Sequence, residues 1–506
     1  MARFSTDTTP PPPPKTSRRK FGWILLKLSL VGATGMLLFE VYSKRHPGPQ
    51  LDFDPSLETV VVLGSGWGAT SFLQDLDTLN YNVICVSPRN YFLFTPLLPS
   101  CTVGTIESRS IMQPMRYITR FKRRNVRFVE AECTQIDHVG RTITVQDNSE
   151  ISCEEPVTLK YDKLIVAVGA KNATFGVPGV EEHACFLKEI SDAKKIRRRL
   201  VDCVETATFP GQSEAETSRL LHCLVIGGGP SGIEMASEIA DFLKDDLVHW
   251  YPEIAEKVRI TCVEATDHVL PMFSRTLIDY AEKNLQENRV HIRNNTSVVK
   301  ISEKEAIVKN RDGKLESIPF GLVIWATGNA ARPLVHDLAR SLEKISPQQN
   351  QRRGVVVDNW LRAVGAEDSI YCLGDCSASQ YTPTAQVAAK QGKYLADHFN
   401  RLGYLKRDLA AGEETKNDRL VSAIHETEDI VERLPSFTFA SMGMLAYIGN
   451  ARAVADLPSG GQFGGLLTFY FWRSAYLSNL FSLRNKVLVG SDWVKQKIFG
   501  RDIGRE

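Results

Sequence analysis

Two glycine-rich turns constrain the fold of this 506-residue chain more than any other feature. The first follows the apolar run Thr59–Leu63, and the second follows Leu221–Ile226. Where a buried strand passes into a helix, glycines let backbone N–H groups approach a pyrophosphate, and the helix N-terminus favours its charge. The turns comprise Gly64, Ser65, Gly66, Trp67, Gly68 and Ala69, and then Gly227, Gly229, Pro230, Ser231 and Gly232. They predict an α/β fold with two Rossmann-like dinucleotide-binding domains, although either turn alone could be a tight strand–helix connection.

The residue that ends the next strand distinguishes the two turns. After the first turn, the strand Asn82–Val86 ends at Ser87, with Arg89 two residues later and no carboxylate for a ribose hydroxyl. After the second turn, Val258–Val263 ends at Glu264. An acid there can accept hydrogen bonds from both ribose hydroxyls, and it repels a 2′-phosphate. The second turn is therefore predicted to bind NADH and the first, by elimination, FAD.

Charge and cysteine content exclude several classes of protein. The chain has 61 Lys and Arg against 59 Asp and Glu, so no general attraction to nucleic acid is expected. Its ten cysteines form no C-x-x-C pair and no dense framework, which is typical of reduced thiols rather than of a disulfide scaffold. We therefore predict no metal centre and no nucleic-acid partner.

The N-terminus has the character of a targeting or membrane segment. Residues 1–20 contain five basic residues and one acid. Phe21–Tyr42 is largely apolar, and its length suits a bilayer span. We predict a targeting or transmembrane segment over residues 1–46. A retained anchor is the favoured interpretation, and a cleaved presequence is the alternative.

The order of the predicted elements indicates nested domains. An FAD-binding domain is predicted from residues 56–175 and 345–400, and an NADH-binding domain over residues 176–344 is inserted within it. We also predict a hairpin from Phe128–Ile136 and Arg141–Val145, an insertion around residues 249–252, and irregular structure over residues 402–430.

The pair Gly374-Asp375 gives a further cofactor signal. It closes the predicted strand Ser369–Leu373 and stands just before a predicted helix. Alone, Gly-Asp is a common turn. Far downstream of a first dinucleotide turn, it indicates the carboxylate that accepts hydrogen bonds from the ribityl hydroxyls of a flavin.

These motifs together resemble the type II, rotenone-insensitive NADH:ubiquinone oxidoreductases of fungal and plant mitochondria and of bacteria. The matching stretches are Gly64–Ala69, Ser87–Pro99, Ile324–Asn329, Pro383–Ala388 and Gly465–Arg473. The resemblance implies a glutathione-reductase-like flavoprotein that passes hydride from NADH to FAD and then two electrons to ubiquinone, without proton pumping. It also implies a homodimer at the mitochondrial inner membrane, with the catalytic domain facing the intermembrane space.

The same resemblance assigns roles to single residues. FAD is expected on the first turn and on Ser87, Arg89, Thr95, Pro96, Gly169, Gly374, Asp375, Ala385 and Gln386. NADH is expected on the second turn and on Glu234, Glu264, Ala326, Thr327 and Gly328. The residues expected to be catalytic are Glu234, Gln386, Lys390 and Gln391. The alternative for Glu234 is an acid near a helix N-terminus that interacts favourably with the macrodipole.

One position departs from the family pattern. Four residues after Gln386, where the family usually has a second glutamine, stands Lys390, and a glutamine follows only at Gln391. Side chains share a helical face at a spacing of three or four residues, so Gln391 is expected to point elsewhere. Either Lys390 faces the quinone carbonyl as a cationic donor, or the helix is shifted.

The C-terminal region, residues 431–506, is predicted to bind the membrane surface and to dimerise. Helical spacing brings together Phe469, Trp472, Tyr476, Leu480 and Leu483. Within residues 463–501 the only acid is Asp492, and the cations are Arg473, Arg484, Lys486, Lys495, Lys497 and Arg501. A basic amphipathic stretch with aromatics favours a helix at the lipid interface. The alternative is a helix pair packed on the core or at a dimer interface.

Two other functions remain open. A soluble NADH oxidase or peroxidase would need a cysteine beside the flavin, for which Cys101 is the candidate. A flavoprotein similar to apoptosis-inducing factor would mainly bind partners, but the C-terminal aromatic run and the quinone motif speak against it.

Overall fold

The structure, a computed structural model, describes residues 45–149, 151, 155–410, 434–458 and 460–504, together with positions 32, 35, 39, 42 and 43. Residues 1–51 and 52–506 form separate units, and the second unit is described below. Most of the predicted N-terminal membrane segment lies outside the described residues. Within the described part of the chain, no helix has both the length and the apolar character needed to cross a bilayer.

The strands are short and mostly buried. They are β1 Thr59–Leu63, β2 Asn82–Ser87, β3 Tyr91–Leu93, β4 Met112–Pro114, β5 Val126–Glu130, β6 Glu132–Asp137, β7 Thr142–Gln146, β8 Val157–Lys160, β9 Lys163–Val166, β10 Ala170–Asn172, β11 Cys185–Phe186, β12 His222–Ile226, β13 Arg259–Val263, β14 Val290–Arg293, β15 Ser297–Ile301, β16 Glu305–Lys309, β17 Leu315–Pro319, β18 Leu322–Trp325, β19 Asn329–Ala331, β20 Ile370–Cys372, β21 Met444–Tyr447, β22 Ala453–Asp456 and β23 Gln462–Gly465.

The α-helices range from single turns to a long helix that crosses the molecule. They are α1 Trp67–Asp75, α2 Leu98–Thr102, α3 Met115–Thr119, α4 Val180–His183, α5 Ile190–Ala207, α6 Glu214–Leu220, α7 Pro230–Phe242, α8 Val248–Trp250, α9 Pro252–Ala255, α10 Arg275–Glu287, α11 Pro333–Glu343, α12 Ala385–Ala410, α13 Leu466–Asn479 and α14 Leu483–Phe499.

The first parallel sheet carries the first glycine turn. Its strand order is β20-β9-β1-β2-β5, and the central strand β1 has the buried, β-branched sequence TVVVL. Such a run is expected for a parallel strand covered on both faces. β20 pairs in parallel with β9, so residues 370–372 complete a sheet that begins at residue 59. The predicted α/β fold class is confirmed.

A second parallel sheet, in the order β11-β18-β12-β13-β14, lies within the sequence between β9 and β20. The second glycine turn follows β12, and Glu264 follows the neighbouring strand β13. Between α7 and β13, a π-helical turn at Leu243–Leu247 continues into α8 and α9. The insertion predicted there is therefore helical. The domain limits at residues 175 and 344 stay predictions.

Three local predictions need correction. Phe128 belongs to β5 of the parallel sheet, and the appended unit is a three-stranded meander of β6, β7 and β8 rather than a hairpin. Residues 402–410 are part of α12, while residues 411–430 lie outside the described residues. The C-terminal region also contains an antiparallel sheet, in which the short strands β21, β22 and β23 pair with one another.

Helices α1 and α12 cross at glycines, which brings the first turn close to the helix that bears Gln386. A methyl group on Gly392 would overlap with the carbonyl oxygen of Gly68 and lie 3.0 Å from the amide nitrogen of Phe72. A methyl group on Gly68 would overlap with the side chain of Leu373. This close approach fixes the two helices that frame the candidate site.

Candidate functional site

A cavity of about 1680 Å³ connects the two glycine turns. Its wall contains Gly64–Gly68 of the first turn, Gly229–Ser231 of the second and Asp375. α1 begins after Gly66 and α7 begins after Gly229, and among the described residues no side chain caps either N-terminus. The backbone N–H groups at both helix starts are thus left for an anionic ligand.

The first turn is shaped for the close approach of a phosphate-bearing group. Gly64 has a φ of +110°, and a methyl group on it would overlap with the carbonyl oxygen of Ala167. A methyl group on Gly66 would meet no atom within 4 Å, so the cavity side of the turn is open. The hydroxyl of Ser87 donates to that of Ser65 at 3.0 Å and ties the end of β2 to the turn.

Asp375 lies in the cavity wall just after β20, where the sequence predicts a ribityl contact. Burial raises the pKa of its carboxyl, while the positive charges of Lys188 and Arg353 oppose the shift. The neighbouring N–H of Gly374 donates to Oε1 of Gln391 at 2.7 Å. Gln391 is fully buried and is not part of the cavity wall. The expected catalytic contact of Gln391 does not agree with this placement, because its side chain lies behind the cavity wall and contacts the backbone of Gly374.

Glu264 lies at the position expected for a ribose-binding acid. Its Oε2 accepts a hydrogen bond from the N–H of Gly228 at 2.6 Å, and its Oε1 accepts one from the N–H of Thr266 at 2.7 Å. The partly buried carboxylate is therefore fixed beside the second turn. A methyl group on Gly232 would overlap with the carbonyl oxygen of Gly227, so Gly232 serves helix–strand packing.

Glu234 is the fifth residue of α7 and lines the cavity, with only 6% of its surface exposed. Its Oε1 accepts a hydrogen bond from the N–H of Tyr447 at 3.2 Å. Burial raises the pKa of Glu234 to about 8, and the hydrogen bond from Tyr447 offsets only part of this shift. The carboxyl is mostly protonated at neutral pH. A neutral side chain gains no stabilisation from the macrodipole, so the raised pKa speaks against the alternative role.

Lys390 lies on the same face of α12 as Gln386, one turn later, because the helix runs without a break from residue 385. Both residues line the cavity, and Lys390 is exposed. The Nε2 of Gln386 donates to the carbonyl oxygen of Gly443 at 3.1 Å. This arrangement agrees with the first alternative, in which Lys390 faces the site without a shift of the helix.

Part of the cavity wall is apolar and comes from outside the two parallel sheets. It consists of Leu98, Pro99, Tyr476, Leu480 and Phe481. The ring of Phe481 lies 6.2 Å from that of Trp67, centroid to centroid, so this apolar wall adjoins the first turn. The indole N–H of Trp67 in turn donates to the hydroxyl of Thr95 at 3.1 Å.

The residues predicted to form the lipid-binding face of the C-terminal region are not the exposed ones. Phe469, Trp472 and Leu480 are at most 6% exposed, Tyr476 lines the cavity, and Leu483 is half-buried. The exposed apolar side chains of α13 and α14, here called the C-terminal apolar surface, are Leu466, Leu467, Tyr470, Phe471, Val487, Val494, Ile498 and Phe499.

Of the six predicted surface cations, Arg501 is buried and Arg473 is half-buried. The guanidinium of Arg473 lies 4.5 Å from the ring centroid of Phe469 and 4.7 Å from that of Trp493. The side chain of Arg501 is 4% exposed and pairs with Asp246 at 2.6 Å. Arg501 holds the tail to the body of the protein, and Arg473 packs between aromatic rings within the tail, so the basic character of this surface is weaker than the sequence indicates.

Cys101 does not support an oxidase or peroxidase site. It is buried in α2 and lies outside the cavity wall. Burial, with nearby acids, raises the pKa of its thiol well above the usual value. A thiol that resists ionisation is a poor nucleophile.

Most predicted binding residues line the cavity. The exceptions are Ala69, Gly227, Gly232, Glu264 and Gln391. The same wall contains charged residues that were not predicted from the sequence, among them Lys188, Glu189 and Arg332. Glu189 pairs with Arg89 at 2.5 Å and so brings a carboxylate close to the end of β2. Lys188 and Glu189 follow β11, and a strand of two residues leaves no periodic signal in the sequence.

Comparisons with known proteins cover most of the chain. The family described as pyridine nucleotide-disulphide oxidoreductase matches residues 58–392, and the NDH2 C-terminal domain matches residues 442–502. The external alternative NADH-ubiquinone oxidoreductase, mitochondrial, of Yarrowia lipolytica is 47% identical over 96% of this chain and 87% of its own length. External NADH-ubiquinone oxidoreductase 2, mitochondrial, of Saccharomyces cerevisiae is 40% identical over 92% of this chain and 86% of its own. The structure of NDH2 from Plasmodium falciparum in complex with NADH has a TM-score of 0.79 and 28% identity, covering 88% of this chain and 99% of that one.

Proposed function

The chain belongs to the pyridine nucleotide-disulphide oxidoreductases and, within them, to the type II NADH-ubiquinone oxidoreductases, and from that premise we propose that it oxidises NADH and reduces ubiquinone in mitochondria without pumping protons. The observation that carries the proposal is a cavity in which two uncapped helix N-termini and an apolar wall meet. Two dinucleotides and a hydrophobic acceptor would each find a matching surface there.

FAD fits the first turn, because the open side of Gly66 leaves a cradle that a side chain would fill, and Gly64, with its positive φ, lets the turn pass close to Ala167. The residues proposed to hold it are those of the first turn with Ser87, Thr95, Asp375 and Gln386. FAD, when bound, accepts a hydride from NADH and delivers two electrons to ubiquinone. The protein itself binds and orients the cofactor and the substrates, and it excludes water from them. Asp375 is positioned to accept hydrogen bonds from hydroxyl groups.

NADH is proposed to bind at the second turn. The N-terminus of α7 would stabilise the pyrophosphate, and the fixed carboxylate of Glu264 would accept hydrogen bonds from the adenosine ribose. Since that carboxylate repels a 2′-phosphate, the site should prefer NADH to NADPH. Ala326, Thr327 and Gly328 would complete the nicotinamide side of the cavity.

Ubiquinone is proposed to lie against the apolar wall, between it and the face of α12 that carries Gln386 and Lys390. The ammonium of Lys390 can donate a hydrogen bond to a carbonyl oxygen. Glu234 holds a proton at its carboxyl at neutral pH, as its raised pKa requires. A buried acid of this kind can supply a proton where a quinone is reduced.

Anaerobic rapid mixing of the purified full-length protein tests the function. NADH should remove the visible flavin absorbance, and a short-chain ubiquinone should then restore it within the turnover time. NADPH should act much more slowly. Restoration by oxygen but not by ubiquinone would overturn the proposal in favour of an oxidase.

We also propose that the catalytic domain faces the intermembrane space and that the protein is a homodimer. The word "external" in the names of the relatives supports the orientation. Protease treatment of mitochondria whose outer membrane has been ruptured and whose inner membrane is intact should degrade an outward-facing domain, whereas full protection would contradict this orientation. Light scattering in detergent should give twice the monomer mass.

The C-terminal apolar surface is proposed to rest on the bilayer. On this surface Leu467, Phe471 and Ile498 are exposed and apolar. Arg484, Lys495 and Lys497 lie exposed on the same helix pair. Exposed apolar side chains beside cations are suited to a lipid interface. This position would let a hydrophobic quinone enter from the membrane.

A further inference from the structure

Five polar side chains from separate parts of the chain meet at the end of the C-terminal tail. We call Ser100, Thr105, Glu238, Asp246 and Arg501 the Arg501 cluster. Nη1 of Arg501 lies 2.6 Å from Oδ2 of Asp246, and its Nε donates to the hydroxyl of Thr105 at 2.9 Å. Glu238 accepts hydrogen bonds from the hydroxyls of Ser100 at 2.6 Å and Thr105 at 2.7 Å, and lies 3.9 Å from Arg501.

The cluster is buried and built for one cation. The side chains of Arg501, Glu238 and Asp246 are 3–5% exposed. Asp246 belongs to the π-helical turn that follows α7, and its Oδ1 also accepts from the backbone N–H of Arg501 at 2.8 Å. π-helical turns redirect side chains and often occur at functional sites. Removal of the cation would leave buried acids without compensation, so the geometry specifies arginine.

Through these contacts the cluster joins the elements that form the ubiquinone side of the cavity. Glu238 lies one turn after Glu234 on the same face of α7. Ser100 follows directly on Leu98 and Pro99 of the apolar wall. Arg501 follows the C-terminal end of α14. Helix α14 packs against α13, and Tyr476 of α13 lines the cavity.

The NADH end of the cavity lies outside this group of contacts. Gly229–Ser231 stand at the start of α7, about two helical turns before Glu238. None of the hydrogen bonds or ion pairs of Arg501 within the described residues reaches them. A displacement of the tail would therefore disturb the apolar wall and Glu234 before it disturbs the pyrophosphate site.

We propose that Arg501 is a positioning residue for ubiquinone reduction, because it binds Glu238, Asp246 and Thr105 together and thereby holds the apolar wall of the cavity against Glu234. This inference rests on the proposed function. If that function is wrong, the wild type itself fails to reduce ubiquinone, whereas failure of the inference appears only in the variants.

The test compares Arg501→Met with Arg198→Met, which removes an exposed arginine of α5, in the full-length holoenzyme. For Arg501→Met we expect kcat/KM for a short-chain ubiquinone to fall about tenfold, mainly through KM, while anaerobic reduction by NADH changes less than about twofold. Arg501→Lys should recover part of the loss because it keeps the charge. Equal losses in both half-reactions, or no loss in either, would overturn the proposal.

A second variant and a second measurement cover the case in which Arg501→Met does not fold. Thr105→Val removes the hydroxyl between Arg501 and Glu238 but keeps the ion pair with Asp246, so it should show a smaller loss of the same kind. Amide hydrogen exchange should rise in residues 98–106 and 238–247 of the variant and stay unchanged at residues 227–231. Normal exchange and normal ubiquinone kinetics in Thr105→Val would contradict the proposal.

Discussion

At the scale of single residues, two backbone N–H groups fix the carboxylate of Glu264 at the proposed ribose site. Glu264→Gln removes the negative charge and turns an amide N–H₂ toward one of these donors. We expect activity with NADH to fall and the NADPH to NADH ratio of kcat/KM to rise about tenfold, since the repulsion of a 2′-phosphate is lost. Steady-state kinetics with both nucleotides measure the ratio. The exposed Glu256→Gln is the control, and an unchanged ratio would remove Glu264 from the ribose site.

The buried acid Glu234 makes stability depend on pH. Its pKa is raised to about 8 in the folded protein from a usual 4.5, so between these values the folded state keeps a proton that the unfolded chain has released. The folded state is therefore destabilised as pH rises from 4.5 to 8. Glu234→Gln carries no such proton, and the difference in melting temperature from the wild type should move in favour of the variant across this window. A difference that is constant with pH would show that Glu234 is ionised in the folded state.

The local part of the site could be predicted from sequence, but its electrostatics could not. The glycine turns and Glu264 depend on residues that are neighbours along adjacent strands, so their spacing identifies them. Burial raises the pKa of Glu234, and the N–H that donates to its carboxyl belongs to Tyr447, more than two hundred residues away in the sequence. Lys188 and Glu189 enter the cavity by tertiary packing, which leaves no pattern in their own segment.

At the scale of elements, the crossing of α1 and α12 depends on Gly392. Gly392→Ala should force the helices apart and destabilise the protein by about 1–3 kcal/mol, because the added methyl group meets backbone atoms. Bound FAD per chain should fall with it. Gly490→Ala, in α14, has open space around the added methyl group and should stabilise slightly. Thermal unfolding and flavin content compare the two, and equal behaviour would contradict the role of the crossing.

Elements with a clear hydrophobic pattern could be predicted from the sequence, whereas short elements could not. The buried runs of β1 and β12 predict parallel strands because both of their faces are apolar. β21, β22 and β23 have only four residues each, so their alternation of apolar and polar residues is too short to predict a strand. In α13 the aromatic spacing correctly indicates a helix. It misassigns the exposed face, because Phe469 and Trp472 pack inward against Tyr447.

At the scale of the whole molecule, membrane attachment should survive the loss of the N-terminal segment. A protein lacking residues 1–45 should still bind liposomes and reduce ubiquinone, because the C-terminal apolar surface is intact. Replacing Leu467, Phe471, Val494 and Ile498 by Ser in that protein should release it into the soluble fraction, since these side chains are exposed and apolar. Flotation with vesicles measures binding. Release by the deletion alone would contradict lipid contact by the tail.

The pairing of β20 with β9 sets an order of events during biosynthesis. Every strand of the second sheet emerges from the ribosome or the import channel before residue 370 arrives, so that sheet can close while the first is still missing its edge. Domains fold as units once their chain is available. In the proposed site FAD contacts Asp375 and α12, so flavin binding is expected only after both have followed.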